Sequence, residues 1–291
     1  EGPGKAEGPR VAGGMGTRLS PLTKVINKQL LPLYDKPLIF YPLSVLMLSG
    51  IKNILIITNP NENNIYKKIL GDGTRFGIKI SYKEQAKPNG LPEAFILGKK
   101  FIGKDGVALI LGDNFFYGQG FTKRLKNGLK KNKGATIFAY AVNNDSKNKV
   151  VKVNNNNKVL NIVEKPKKYI SNLAITGLYY FNNKVIRFAE KLKPSKIKEL
   201  EITDLIKKYK RDKQLKVELI GRGGSWLDAG TIKDLFDAST FVSTVEKRQG
   251  FKIACLEEIA LRNKWITKNL IIKSIKFYGN CDYSNYLKKL I

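Results

Sequence analysis

The chain has 291 residues, 42% of them hydrophobic, and a formal charge of +29 from 53 Lys and Arg against 24 Asp and Glu. That length supplies a full core without staples, and the two cysteines, Cys255 and Cys281, form no CxxC pair, so neither a disulfide framework nor a thiolate zinc site is expected. The absence of histidine removes Ser-His-Asp and Cys-His nucleophiles and histidine metal sites, leaving an oxygen-ligated metal, Mg²⁺ foremost, and a reaction that needs no strong base.

In chain order, a Gly/Pro-rich start leads into a glycine loop at 11–19. Residues 35–50 read as a helix capped at Asp35 and stopped by Gly50, followed by an apolar strand at 51–58. A crossover helix at 62–70, a strand at 78–82, a helix at 90–101 and a strand at 107–111 continue a βα pattern. The fold class that fits is α/β, a mainly parallel sheet covered by helices. From 135 onward strands dominate, at 135–142, 149–153, 159–163 and 174–181, with the asparagine run 154–157 as an exposed turn. Helices follow at 184–192, 202–211 and 231–247, the last with Thr231 as cap and Asp234 in its first turn. The segment after it reads as an appendage or an oligomer-forming surface. No apolar run reaches the ~20 residues a membrane span requires, and the cytoplasm is the expected compartment.

Five places carry candidate chemistry. Gly13, Gly14 and Gly16, with Thr17 and Arg18, expose backbone N–H groups and a guanidinium fork suited to a triphosphate. The spacing is neither a dinucleotide fingerprint nor a Walker motif, and a bland glycine turn is the alternative. Lys28, just beyond the turn at 21–23, faces either the same phosphate crevice or solvent. Asp113 ends an apolar strand, where such folds collect ligands, so it is either a Mg²⁺ ligand or a turn cap. Glu164 and Lys165 also end a strand candidate, suited to sugar hydroxyls and a phosphate, or forming an ordinary surface pair. Asp228 is either a metal ligand or a helix cap, and Thr231 is already available as the cap.

These segments together resemble the bacterial sugar nucleotidyltransferases, and among them the glucose-1-phosphate thymidylyltransferase group. The matches are GGMGTRLSPLT at 13–23, KQLLPLYDKP at 28–37, LGDNFFYG at 111–118, VEKP at 163–166, TGLYYF at 176–181, ELEITD at 199–204 and WLDAGT at 226–231. The resemblance implies a Rossmann-like mixed α/β sheet with added sugar-binding and C-terminal elements, divided into a core over 1–240 and an oligomer-forming appendage over 241–291. It implies a homotetramer that transfers the thymidylyl group of dTTP to α-D-glucose 1-phosphate with Mg²⁺, releasing dTDP-glucose and pyrophosphate, early in dTDP-deoxysugar or rhamnose synthesis. A UTP-preferring relative is the enzyme alternative.

By the same resemblance, Gly13, Gly14, Gly16, Thr17 and Arg18 hold the nucleotide phosphates, and Lys28 supports the departing pyrophosphate. Gln85 and Gly90 contact the pyrimidine, while Asp113 and Asp228 hold Mg²⁺. Lys165 grips the sugar phosphate, and Glu164, Thr176, Gly177 and Glu199 fall at sugar-side positions.

Two stretches depart from the family pattern. Glu7-Gly8-Pro9-Arg10-Val11 stands where the family has an apolar first strand, and Pro9 costs a ladder hydrogen bond there. Asn148-Lys149-Val150 stands where the family has Tyr-Gly-Val beside the sugar. Lys149 therefore lies outside the pocket, takes a glycine-like backbone, or alters which sugar fits. The lysines are spread from Lys5 to Lys289 with no basic arm or RNA-binding motif, so the charge reads as a solvated surface. A regulatory, nucleic-acid-binding protein is the non-enzyme alternative.

Overall fold

The computed structural model describes residues 8–12, 17–143, 149–195 and 199–291. Its strands are β1 (Gly8–Ala12), β2 (Pro32–Leu33), β3 (Lys36–Pro37), β4 (Asn53–Thr58), β5 (Lys79–Glu84), β6 (Val107–Leu111), β7 (Asn114–Gly118), β8 (Ala135–Ala141), β9 (Lys149–Val153), β10 (Val159–Glu164), β11 (Leu173–Phe181), β12 (Leu215–Ile220) and β13 (Gly224–Asp228). Its helices are α1 (Phe40–Leu48), α2 (Asn63–Leu70), α3 (Glu93–Leu97), α4 (Lys99–Ile102), α5 (Phe121–Lys130), α6 (Lys184–Glu190), α7 (Ile202–Arg211), α8 (Ile232–Gln249), α9 (Leu256–Arg262), α10 (Lys268–Tyr278) and α11 (Asp282–Lys288).

The fold is α/β around one mixed sheet. Across it the order is β12, β8, β11, β6, β1, β4, β5, and the β9–β10 hairpin branches from β11 through Ala174 and Val150. Strands β6, β1, β4 and β5 run parallel, whereas β11 is antiparallel to both β6 and β8. The parallel strands need crossovers, and the continuous apolar runs of β4 and β6 suit burial on both faces, whereas the edge strand β5 is largely exposed or half-buried. In β4 and β6, Ile54, Ile56, Ala108 and Ile110 pack with Phe40 and Leu46 of α1 and with Leu256, Ile271 and Leu287 of the C-terminal helices. Leu109 of β6 joins Phe95, Ile137, Tyr179, Leu205 and Tyr209 in a second apolar cluster.

The proline-bearing first segment does occupy the central position, between β6 and β4. Its register on β4 shifts between Pro9 and Ala12, and its pairing with β6 is confined to Val11 and Ala12. The ladder is thus irregular beside a residue that has no N–H to donate.

Two expected helices differ. The helix expected at 35–50 begins at Phe40, because Pro32–Leu33 and Lys36–Pro37 form a two-stranded turn instead. Asp35 is not its cap; its carboxylate is engaged by Lys36 and Lys252. The helix expected at 90–101 divides at Gly98 into α3 and α4. Residues after 250 form three further helices, and α8 runs unbroken across residue 240. Among the described residues no helix is long and apolar enough to cross a membrane.

Candidate active site

The parallel strands open at their carboxyl edge, where β6 hands the chain to Gly112 and Asp113 before β7 begins. β7 pairs antiparallel with β13 so that Asn114 faces Asp228, and the Ala229 N–H donates to the Asp113 carbonyl at 2.9 Å. That pairing seats two aspartates from distant parts of the chain side by side. Thr231 caps α8, accepting from the Asp234 N–H at 3.2 Å, so Asp228 is not the helix cap.

Lys28 is 7% exposed, which removes the surface-lysine reading. Its short 3₁₀ turn, Lys28–Leu30, is held by Asn27, whose side chain accepts from the Gln29 N–H and from Tyr66 Oη of α2. Lys28 Nζ then lies 2.5 Å from Asp113 Oδ2, while Asn114 Nδ2 donates to Asp113 Oδ1 at 2.9 Å. Asp228 is treated differently. Its Oδ1 is buried with no hydrogen-bond partner among the described residues. Burial, then the charge of Asp113, pushes its carboxyl up to about 7, against the pull of Lys28 and Arg18.

These donors fit a magnesium ion. Mg²⁺ takes one or two protein carboxylates and fills its remaining positions with phosphate oxygens and water. Asp113 and Asp228 supply that number, and an orphaned buried carboxylate oxygen is a group that a cation satisfies. Among the described residues no cluster of three or more acidic or cysteine side chains is arranged to hold a metal by itself.

A cleft of about 220 Å³ opens beside the aspartates, and Arg18, Asp113, Glu164, Lys165, Thr176, Gly177 and Asp228 all line it. Consecutive strand residues normally face opposite sides. Glu164 and Lys165 nevertheless share the cleft, because Lys165 leaves β10 in the left-handed region at φ 43°. Thr176 and Gly177 lie within the register shift of β11 on β8, between Ile175 and Tyr179. The Thr176 hydroxyl donates to the Phe138 carbonyl at 3.0 Å, and the Gly177 N–H donates to Asn114 Oδ1 at 2.9 Å.

Other expected residues lie elsewhere. Gln85 and Gly90 follow β5, on the same carboxyl edge but three strands from β6, a separation of roughly 14 Å at the usual strand spacing. Gln85 Nε2 donates to Glu93, and a Cβ on Gly90 would sit 2.1 Å from the Leu200 carbonyl oxygen, so only glycine permits that approach. Glu199 precedes this contact and does not line the cleft. Gly13, Gly14 and Gly16 lie outside the described residues, as does the Thr17 side chain.

The sequence-based set did not include the cleft residues Asn114, Trp226 and Tyr179, nor the apolar Leu111 and Ile175. Asn114 Oδ1 accepts from both Gly177 N and Trp226 Nε1, the latter at 2.6 Å, so it joins β7, β11 and β13 beneath the aspartates. Its signals in the sequence are its position next to Asp113 and its place in the LGDNFFYG match. Lys149 also lines the cleft, with an ordinary strand backbone, which rejects the readings that put it outside or gave it a glycine-like conformation.

The nucleotidyl transferase family model matches residues 11–245. A glucose-1-phosphate thymidylyltransferase of Neisseria meningitidis is 50% identical over 281 residues, 97% of this chain and 98% of that protein. One from Xanthomonas campestris is 45% identical, over 96% of this chain and 95% of its own. Among solved structures, one from Bacillus anthracis, assigned by name to the glucose-1-phosphate thymidylyltransferases and bound to sucrose, superposes with a TM-score of 0.75 at 35% identity, covering 81% of this chain and 94% of that one. A UDP-glucose pyrophosphorylase complexed with UDP-glucose gives 0.72 at 26% identity, covering 82% and 99%.

Proposed function

The chain belongs to the nucleotidyl transferase family, and on that premise we propose that it transfers the thymidylyl group of dTTP to glucose 1-phosphate, giving dTDP-glucose and pyrophosphate. The observation that carries this reading is the meeting of Lys28, Asp113 and Asp228 with Arg18, Glu164 and Lys165 around one cleft at the carboxyl edge of the sheet. The full-length similarity to thymidylyltransferases supports the choice of substrates.

The chemistry suits a chain without histidine. The sugar phosphate is already anionic at neutral pH, so no side chain has to remove a proton. Its oxygen attacks the α-phosphorus of dTTP. As that O–P bond forms, the bond from the α-phosphorus to the bridging oxygen breaks, and pyrophosphate leaves with the electron pair. Catalysis then consists of alignment and charge stabilisation. In this reading Gly13, Gly14, Gly16, Thr17 and Arg18 hold the triphosphate, and Lys28 neutralises the departing pyrophosphate. Lys165 grips the sugar phosphate, while Glu164, Thr176, Gly177 and Glu199 belong to the sugar side. Gln85 and Gly90 take the pyrimidine, and their roughly 14 Å offset from β6 suits the length of a nucleotide lying along the sheet edge. Asp113 and Asp228 hold Mg²⁺, which when bound supplies positive charge to the nucleotide phosphate oxygens.

The same reading takes the protein as a cytoplasmic homotetramer serving dTDP-sugar synthesis, with 241–291 forming subunit contacts. Exposed Phe251 and Phe277 in that segment, and Phe236 just before it, support a covered face.

Uracil presents the same hydrogen-bonding edge as thymine, and the resemblance to a UDP-glucose pyrophosphorylase keeps UTP as the second reading. Incubation with glucose 1-phosphate, Mg²⁺ and either nucleotide decides. Pyrophosphate release with dTTP preferred in competition is the expected result. Preference for UTP would transfer the assignment, and no release with either would overturn it.

A further inference from the structure

Strand β9 enters the sheet at Lys149, directly opposite Glu164 in the β9–β10 ladder. Both side chains line the cleft, and Lys149 Nζ lies 3.8 Å from Glu164 Oε1. That is ion-pair distance without a hydrogen bond, so Glu164 does not consume the donors of the ammonium. The other Glu164 oxygen accepts from the Thr203 hydroxyl of α7 at 2.5 Å. Glu164 is therefore held from two sides. The Lys149 side chain is 23% exposed, which keeps its charge partly shielded from solvent and effective at short range.

The adjacency of Lys165 and Glu164 in the cleft bears on which part of a sugar phosphate meets this pair. Lys165 follows Glu164 in the chain, and both face the cleft because of the left-handed turn at Lys165. With the phosphate on Lys165, as in the function proposed above and resting on it, the adjoining Glu164 and Lys149 are placed to meet a substituent near the phosphate-bearing end of the sugar. A hydroxyl there can donate to the Glu164 carboxylate and accept from the Lys149 ammonium. A protonated amine can donate but not accept, and it meets a like charge.

We propose that Lys149 is a specificity-determining residue on the sugar side of the cleft. It favours hexose 1-phosphates bearing a neutral hydroxyl next to the phosphate carbon and disfavours those bearing a charged amine there.

The test is a kinetic comparison at a pH where the amine is protonated. Glucose 1-phosphate and glucosamine 1-phosphate are compared in the intact enzyme with dTTP and Mg²⁺, for wild type, Lys149→Met and Lys149→Arg. Methionine keeps much of the stem and removes the charge. The kcat/KM ratio of glucose 1-phosphate to glucosamine 1-phosphate is expected to fall roughly tenfold in Lys149→Met, equivalent to about 1.4 kcal/mol. Lys149→Arg restores most of the ratio, and KM for dTTP changes little in either variant. A loss of activity from misfolding lowers turnover of both sugars together and leaves the arginine variant to decide. An unchanged ratio in Lys149→Met, or a ratio in Lys149→Arg as low as in the methionine variant, overturns the assignment. Wild-type enzyme that uses neither sugar phosphate overturns the proposed function instead, so the two failures are distinguishable.

Discussion

Asp228 shows at the scale of one residue how a site is built against stability. Its Oδ1 is buried without a partner among the described residues, and burial with the neighbouring Asp113 raises its carboxyl to about 7 from an ordinary 3.8. Between about pH 4 and about pH 7 the folded state therefore binds more protons than the unfolded chain, and stability falls as pH rises through that window. A tenfold change in proton affinity is worth about 1.4 kcal/mol, so the ceiling is a few kcal/mol. In Asp228→Asn the charge is gone while the shape remains. The variant is expected to be more stable than wild type at pH 8 in a metal chelator, by roughly 1–3 kcal/mol, with the gain vanishing near pH 4. Its nucleotidyl transfer should be impaired across the same range. Denaturant titrations at the two pH values measure the difference, and a variant less stable than wild type at pH 8 would contradict the picture.

Sequence logic reaches such residues unevenly. Asp113 is legible because it closes an apolar strand at the edge where such folds collect ligands, and Asp228 because Thr231 already offers the cap. Asn114 is not, since asparagine after a strand ordinarily means a turn. Its role depends on contacts with Gly177 and Trp226, 63 and 112 residues away. No local pattern encodes them.

Among elements, β11 does the most to shape the site. It pairs β6 along Leu178–Phe181 and β9 at Ala174, with the register shift on β8 lying between the two. Gly177 sits in that shift, where a Cβ would lie 2.7 Å from both Cγ and Oδ1 of Asn114. Nothing there is flexible enough to yield cheaply, because Asn114 is itself bonded to Asp113 and Trp226. Gly177→Ala is expected to cost about 1–3 kcal/mol of stability as overpacking and to lower kcat by roughly ten- to a hundredfold as the aspartates shift. Gly250→Ala is the control. Its φ of 73° also strains an alanine, yet nothing lies within 4 Å of the new Cβ, so stability drops without a change in kcat. If Gly177→Ala kept wild-type turnover, Asn114 would not be the support assigned to it.

Which elements were legible follows from their contacts. β4 and β6 announce themselves by continuous apolar runs, and α8 by its cap. α5 is hidden by Gly128, an unfavourable helix residue whose missing side chain lets Phe138 and Tyr180 approach to 3.4 and 3.5 Å of where a Cβ would be. The pairing of β7 with β13 is hidden by separation in sequence, since both look like loops until placed together. In the 35–50 segment the local cap signal of Asp35 lost to a long-range ion pair.

The whole molecule is tied together by charges of both signs despite its excess of lysine. Buried Lys36 meets Asp35 and Glu246, and Lys252 meets the same two carboxylates, locking the β2–β3 turn to the end of α8 and the start of the C-terminal helices. Glu246 Oε1 also accepts from the Ile253 N–H at 2.8 Å. These pairs are short and largely buried, so salt screens them little. The basic residues far outnumber the acidic ones, and the net +29 acts at long range in two opposing ways. It repels itself, which weakens the fold, and it draws polyanionic substrates such as a nucleoside triphosphate toward the cleft, which speeds capture. Raising ionic strength from about 0.01 M to about 0.15 M shortens the Debye length from about 30 Å to about 8 Å, removing both effects while leaving the Lys28–Asp113 pair at 2.5 Å almost untouched. Three readings should then move differently in one salt series. The melting temperature rises, kcat/KM for dTTP falls by up to about tenfold, and kcat at saturating substrate stays nearly constant. If kcat fell in parallel with kcat/KM, salt would be acting on the bound site itself and the excess charge would have no separate part in substrate capture.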